Sequence, residues 1–197
     1  ITQNNTGDTA TDSIDINGAA TSSTINAVVL TNTDPAFSFT LNEADADVIV
    51  NDVDLAAASF SVTVADGAIT VDAAGGGITA TGASNITLDA STDGSAADDG
   101  NVNINDAIST TGGTVTIVAD RALTDGNATG DDITAASLSI STQTGVAASG
   151  NPLETNVGSI AAEATTSGGI FISESDGLIV TTVGAVSGLN ANAGATA

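Results

Sequence analysis

The residues able to do chemistry in this chain are almost all carboxylates. Twenty-four Asp and Glu stand against one basic residue, Arg121, in 197 positions, and His, Cys, Tyr, Trp and Met are absent. The imidazole, thiol, amine and phenol groups that most often carry protons or attack are therefore missing, and Arg121 keeps its proton at any working pH. Carboxylates, amides and hydroxyls are, however, good oxygen ligands for hard cations.

The best-spaced oxygen set is Asp125, Asn127, Thr129 and Asp131, with Gly130 at the sixth position. Ligands at positions 1, 3, 5 and 7 with a glycine at 6 echo an EF-hand loop and point to calcium. The bidentate Glu expected at position 12 is replaced by Ala136. The bland alternative is a solvated Asn/Asp/Gly turn. Asp93-Gly-Ser-Ala-Ala-Asp98-Asp99-Gly100 is a weaker candidate of the same kind, and neither loop matches the glycine-rich nonapeptide calcium repeats.

A second acidic set, Glu43, Asp45, Asp47, Asp52 and Asp54, lies on an alternating segment. If residues 43–47 are extended, three carboxylates share one face, which repel unless cations bridge them; a solvated face is the simpler reading. Arg121 is suited to an exposed ion pair worth ~0–1 kcal/mol, not to proton transfer. Asn4, Asn85 and Asn127 head glycosylation sequons, which chance also produces.

A formal net charge of −23 excludes a phosphate backbone or an anionic membrane surface as partner, because both are neutralised by Lys and Arg. Divalent cations are the natural partners of such a chain, and salt should stabilise it. No apolar run approaches the ~18–20 residues of a membrane span. The chain begins Ile1-Thr2-Gln3, which suggests a processed protein or a piece of a longer one. Charged residues are only 13% and mean hydropathy is +0.27, so disorder is disfavoured.

The elements that must position these oxygens are short strands. Phe37–Leu41, Val48–Val50, Phe60–Val64, Ile69–Val71, Ile86–Leu88, Val102–Ile104, Val115–Ile117, Leu138–Ile140, Ile170–Ile172 and Leu178–Val180 alternate with period two, between Gly, Asn, Asp and Ser turns. Nothing keeps a helical period, and Leu55–Ser59 is too short for a helix of its own. Ala65-Asp66-Gly67-Ala68-Ile69-Thr70 recurs as Ala119-Asp120-Arg121-Ala122-Leu123-Thr124, with a looser copy at Ser175-Asp176-Gly177-Leu178-Ile179.

Degenerate repeats built of several strands mark a solenoid. The expectation is an all-β, right-handed parallel β-helix, with a β-sandwich as alternative. At roughly 20 residues per rung it would have about nine or ten rungs and a length on the order of 45 Å. Spacing changes near residue 60, dividing an irregular N-terminal β region (1–60) from a repeat-containing solenoid (61–197).

From about Gly77 to Gly184 the chain resembles the β-helical repeats of filamentous-haemagglutinin-like exoproteins and giant bacterial surface adhesins. The residues carrying the likeness are Ser84-Asn-Ile-Thr-Leu-Asp-Ala90, Ile108-Ser-Thr-Thr-Gly-Gly-Thr-Val-Thr-Ile117, Leu123-Thr-Asp-Gly-Asn-Ala-Thr-Gly-Asp-Asp-Ile133, Gly150-Asn-Pro-Leu-Glu-Thr155 and Val183-Gly-Ala-Val-Ser-Gly188. The resemblance implies a secreted or surface-attached β-helix and carries over no catalytic residue. The leading expectation is a non-catalytic structural or adhesive segment of a long fibre, stalk or matrix filament, self-associating or continued by the same chain. A calcium-dependent binding module is one alternative. The other is a carbohydrate-active enzyme, which needs only two carboxylates ~5–9 Å apart but usually also aromatic platforms.

Overall fold

The computed structural model describes residues 2–3, 13–18, 22–25, 28–30, 38–44, 46–91, 100–127 and 129–192, with side chains from residue 38 onward. Among these residues there is no helix. The chain winds into a parallel β-solenoid. Each turn contributes a strand to three parallel columns.

The first column holds Thr2–Gln3, Val28–Leu30, Asp52–Leu55, Gly77–Ala80 and Ile108–Thr110. The second holds Ser13–Gly18, Ser38–Glu43, Ser59–Val64, Ile86–Ala90 and Thr114–Ala119. In the next two turns, the long strands Ile133–Thr142 and Leu153–Ala164 run through both columns. The third column is Ser22–Ile25, Asp47–Val50, Ile69–Val71, Val102–Ile104, Ala122–Asp125 and Gly145–Val146. Among the described residues every strand-to-strand pairing is parallel except the small hairpin of Thr182–Val183 with Val186–Ser187, which removes the sandwich. Pairing also crosses residue 60 in register, with Phe39 opposite Phe60.

Period-two alternation explains the core. Inward residues of successive rungs stack in columns: Phe39, Phe60, Ile86, Val115, Leu138 and Ile160 form one, and Leu41, Val62, Leu88, Ile117, Ile140 and Ala162 the next. All are buried, and Phe39 and Phe60 stack with ring centroids 5.5 Å and planes 13° apart. A narrow interior built from β-branched and small side chains needs few aromatics. Outward residues hydrogen-bond from rung to rung instead. The Asn103 amide donates to Thr70 Oγ1 (3.1 Å) and the Thr124 hydroxyl to Asn103 Oδ1 (2.6 Å), while the Ser137 and Ser159 hydroxyls meet at 2.8 Å.

The turn length differs from the expected ~20 residues. Hydrogen-bonded partners on successive rungs lie 33 residues apart at Asn103 and Thr70, 25 at Thr81 and Ala56, 21 at Thr124 and Asn103, and 19 at Thr155 and Glu174. Longer coils leave fewer turns than nine or ten. The strands keep their register across these unequal coils.

Glycines make the tight corners. Gly77 has φ of +69°, and a Cβ there would sit 2.2 Å from the Ala107 carbonyl oxygen. The two full copies of the repeat, at Ala65–Gly67 and Ala119–Arg121, occupy the same corner between second and third columns, two turns apart. The looser copy at Ser175–Gly177 sits between first and second columns, after Ile172–Glu174, so it is not structurally equivalent.

In the last turn the second column is interrupted. Ile179–Val180 and Leu189–Ala191 both pair with Leu153–Ala164, and the hairpin between them folds over the outer face, where Val183 and Val186 pack on Ala161. Among the described residues, the strands of this last rung pair on one side only. Val180 and Leu189 continue the apolar columns above Ile160 and Ala162, yet they are 49% and 50% exposed.

Candidate metal centre

The carboxylates converge where the third column turns into the first. Ala122-Leu123-Thr124-Asp125 is a strand by alternation, with Leu123 buried on Val102. Two residues on, that alternation puts Asp125 in register with buried Ile104, where an apolar residue would continue the column. Gly126 then carries the chain past Asn105, whose Oδ1 would lie 2.1 Å from a Cβ at this position. The strand starting at Ile133 is preceded by Asp132, which is fully buried (0% exposed). Glu154, on the next rung, completes the group, and one oxygen from each of Asp125, Asp132 and Glu154 lies within 4.8 Å of the others.

Backbone bonds fix the three. The Asp132 N–H donates to the Glu154 carbonyl at 2.8 Å, and the Glu154 N–H donates to Asp132 Oδ2 at 2.8 Å. The Asn127 N–H donates to Asp125 Oδ1 at 2.8 Å. A tight turn, closed by reciprocal bonds between Ala148 and Asn151, presents the Asn151 amide. Its Nδ2 donates to Asp125 Oδ2, to the Asp125 carbonyl (3.1 Å) and to the Asn127 carbonyl (3.4 Å). Ala147, which opens this turn, is the described non-glycine residue with positive φ, at 54°, a strained conformation for an L side chain.

Two oxygens of the group have no hydrogen-bond donor: Asp132 Oδ1 and Glu154 Oε2, both buried. Burial pushes the Asp132 carboxyl up to about 7, and the charges of Asp125 and Glu154 add to the rise against the bond from the Glu154 N–H. Asp125 is raised too, first by burial and then by Glu154, against the Asn127 bond. An enclosed cluster of this kind can share a proton or hold a cation.

Of the residues expected as ligands, the structure brings Asp125 into the group and leaves the others outside it. Asn127 Oδ1 accepts the Thr129 N–H at 3.1 Å, and Thr129 and Asp131 are exposed. Asp132 closes the loop read from the sequence but falls outside its 1, 3, 5, 7 spacing, and Glu154 was missed because oxygens were counted along one loop, whereas the stacking register brings in the third carboxylate. The available signal was Asp125 at an inward position.

The second acidic set does not line one face. Glu43 ends its strand pointing inward, 5% exposed and in register with Val64. The chain then turns, and Asp47 is exposed, its Oδ1 accepting the Ala68 N–H at 2.8 Å. The corner after residue 43 breaks the extended run that shared orientation requires. Asp45, the loop 93–99 and Asn4 lie outside the described residues. Arg121 is exposed at the corner between second and third columns, and the Asn85 side chain accepts the Thr114 N–H at 3.0 Å.

No family model matches the chain, and no curated protein or solved structure is significantly similar to it.

Proposed function

We propose that this chain is a non-catalytic structural and adhesive segment of a long extracellular fibre or stalk, of the kind built by filamentous-haemagglutinin-like surface proteins. The observation that carries the reading is the last rung, where the apolar columns continue through Val180 and Leu189 into solvent. Phe171 (38% exposed) and Ile179 (64%) lie on the same rung. Unpaired strand edges with apolar side chains attract further strands. The occupant that fits is another parallel rung, because only that continues both the hydrogen bonds and the columns. Stacking of this sort is head to tail and does not close, so it builds filaments. An acidic, oxygen-rich exterior keeps such a filament soluble and leaves cations as its ionic partners.

Light scattering and electron microscopy of the purified chain over a range of concentrations test this. Rods lengthening with concentration are expected, and Val180→Asp with Leu189→Asp should shorten them. A single-chain particle at every concentration, with or without calcium, would defeat the reading.

A further inference from the structure

We propose that Asp125, Asp132 and Glu154 bind one calcium ion, which ties two successive rungs together. This inference stands apart from the fibre reading, since it concerns a corner inside the stack.

The geometry fits a single hard cation. Calcium–oxygen bonds of ~2.3–2.6 Å let one ion touch oxygens up to about 5 Å apart, and the three carboxylate oxygens lie within 4.8 Å of one another. Independent of the clustering, two of the oxygens await a partner. Asp132 is wholly buried, its Oδ2 is taken by the Glu154 N–H, and its Oδ1 has no donor; Glu154 Oε2 is likewise buried without one. A buried carboxylate oxygen that loses water and gains nothing is costly. Arg121, the one basic residue of the chain, stands at a different corner and supplies these oxygens no counter-charge.

Calcium is favoured over other ions by the donors. All are oxygens, with neither imidazole nor thiolate available to select a softer metal. Magnesium holds a near-ideal octahedron and keeps several waters, which suits a buried corner poorly. The carbonyls of Asp125 and Asn127 already converge there on the Asn151 amide, so further oxygens stand beside the carboxylates. Asp125 and Asp132 bracket one loop, and Glu154 belongs to the following turn. One ion would therefore close the loop and staple it to its neighbour.

Isothermal titration of the whole chain with calcium chloride, in sodium chloride held at constant ionic strength, is the test. One calcium per chain is expected, weakened about tenfold or more in Asp132→Asn and in Glu154→Gln, since affinity follows ligand charge. Asp54→Asn, on an exposed outward position, should bind as the wild type does. Thermal melts of the wild type give a second measure, in which calcium must raise the midpoint more than sodium chloride of equal ionic strength. Equal effects of the two salts with no saturable heat would overturn the site. So would full stoichiometry in a folded Asp132→Asn/Glu154→Gln protein, and equal affinity for magnesium would overturn the choice of ion.

Discussion

Replacing Asp132 by Asn isolates the cost of the buried charge. Asn keeps an oxygen to accept the Glu154 N–H, now 2.8 Å from Asp132 Oδ2, and adds a donor for the neighbouring carboxylates. In chelator, without a cation, the wild-type carboxyl titrates near 7 when folded, against 3.8 for a free side chain. Below both values the two states are protonated alike, and the substitution should be close to neutral. As pH rises from about 4, the unfolded chain gives up its proton first while the fold retains it, so wild-type stability falls until about pH 7 and then levels. At about 1.4 kcal/mol per pKa unit the full loss is on the order of 4–5 kcal/mol. For a chain of this size that is on the order of 10 °C in melting temperature. Circular dichroism melts of both proteins between pH 4 and 8 should show the variant gaining on the wild type through that window. A gap constant with pH, or a wild type more stable than the variant at pH 8, would refute the assignment.

Two further substitutions probe the stack. Ile117→Ala removes a fully buried side chain between Leu88 and Ile140 and should cost about 2–5 kcal/mol in urea titrations, whereas outward Thr116→Ala should stay within about 0.5 kcal/mol. Gly77→Ala combines φ of +69° with a Cβ 2.2 Å from the Ala107 oxygen and should lower the melting temperature clearly, while Gly150→Ala, with nothing within 4 Å, should leave it unchanged.

Alternation marked some strands closely, as Ser59–Val64, Ile69–Val71 and Ile86–Ala90 begin and end within two residues of the alternating runs, but not the first-column strands Asp52–Leu55, Gly77–Ala80 and Ile108–Thr110, whose apolar residues are too few to stand out. Parallel stacking was implied by the recurrence of Ala65–Thr70 at Ala119–Thr124. Turn length was not readable, because corner insertions change spacing without changing the strands, and 33 residues separate Thr70 from Asn103 where 21 separate Asn103 from Thr124. The carboxylate corner was half legible. Asp125 was chosen for the oxygens around it, but Asp132 and Glu154 meet it only through the register of Ile133 on Thr155, a long-range pairing that no local motif encodes.

The uneven coil lengths have a mechanical consequence. The inter-rung hydrogen bonds run along the stacking direction, so a pull on the two ends loads them in series and peels coils from an end in succession. Each released coil lengthens the chain by its own contour, about 3.4 Å per residue. A coil of 19 residues, as at Thr155 and Glu174, would give roughly 65 Å, and one of 33 residues, as at Thr70 and Asn103, roughly 110 Å. Tension along the solenoid would therefore be relieved in steps of unequal size, each dissipating work before the next rung yields.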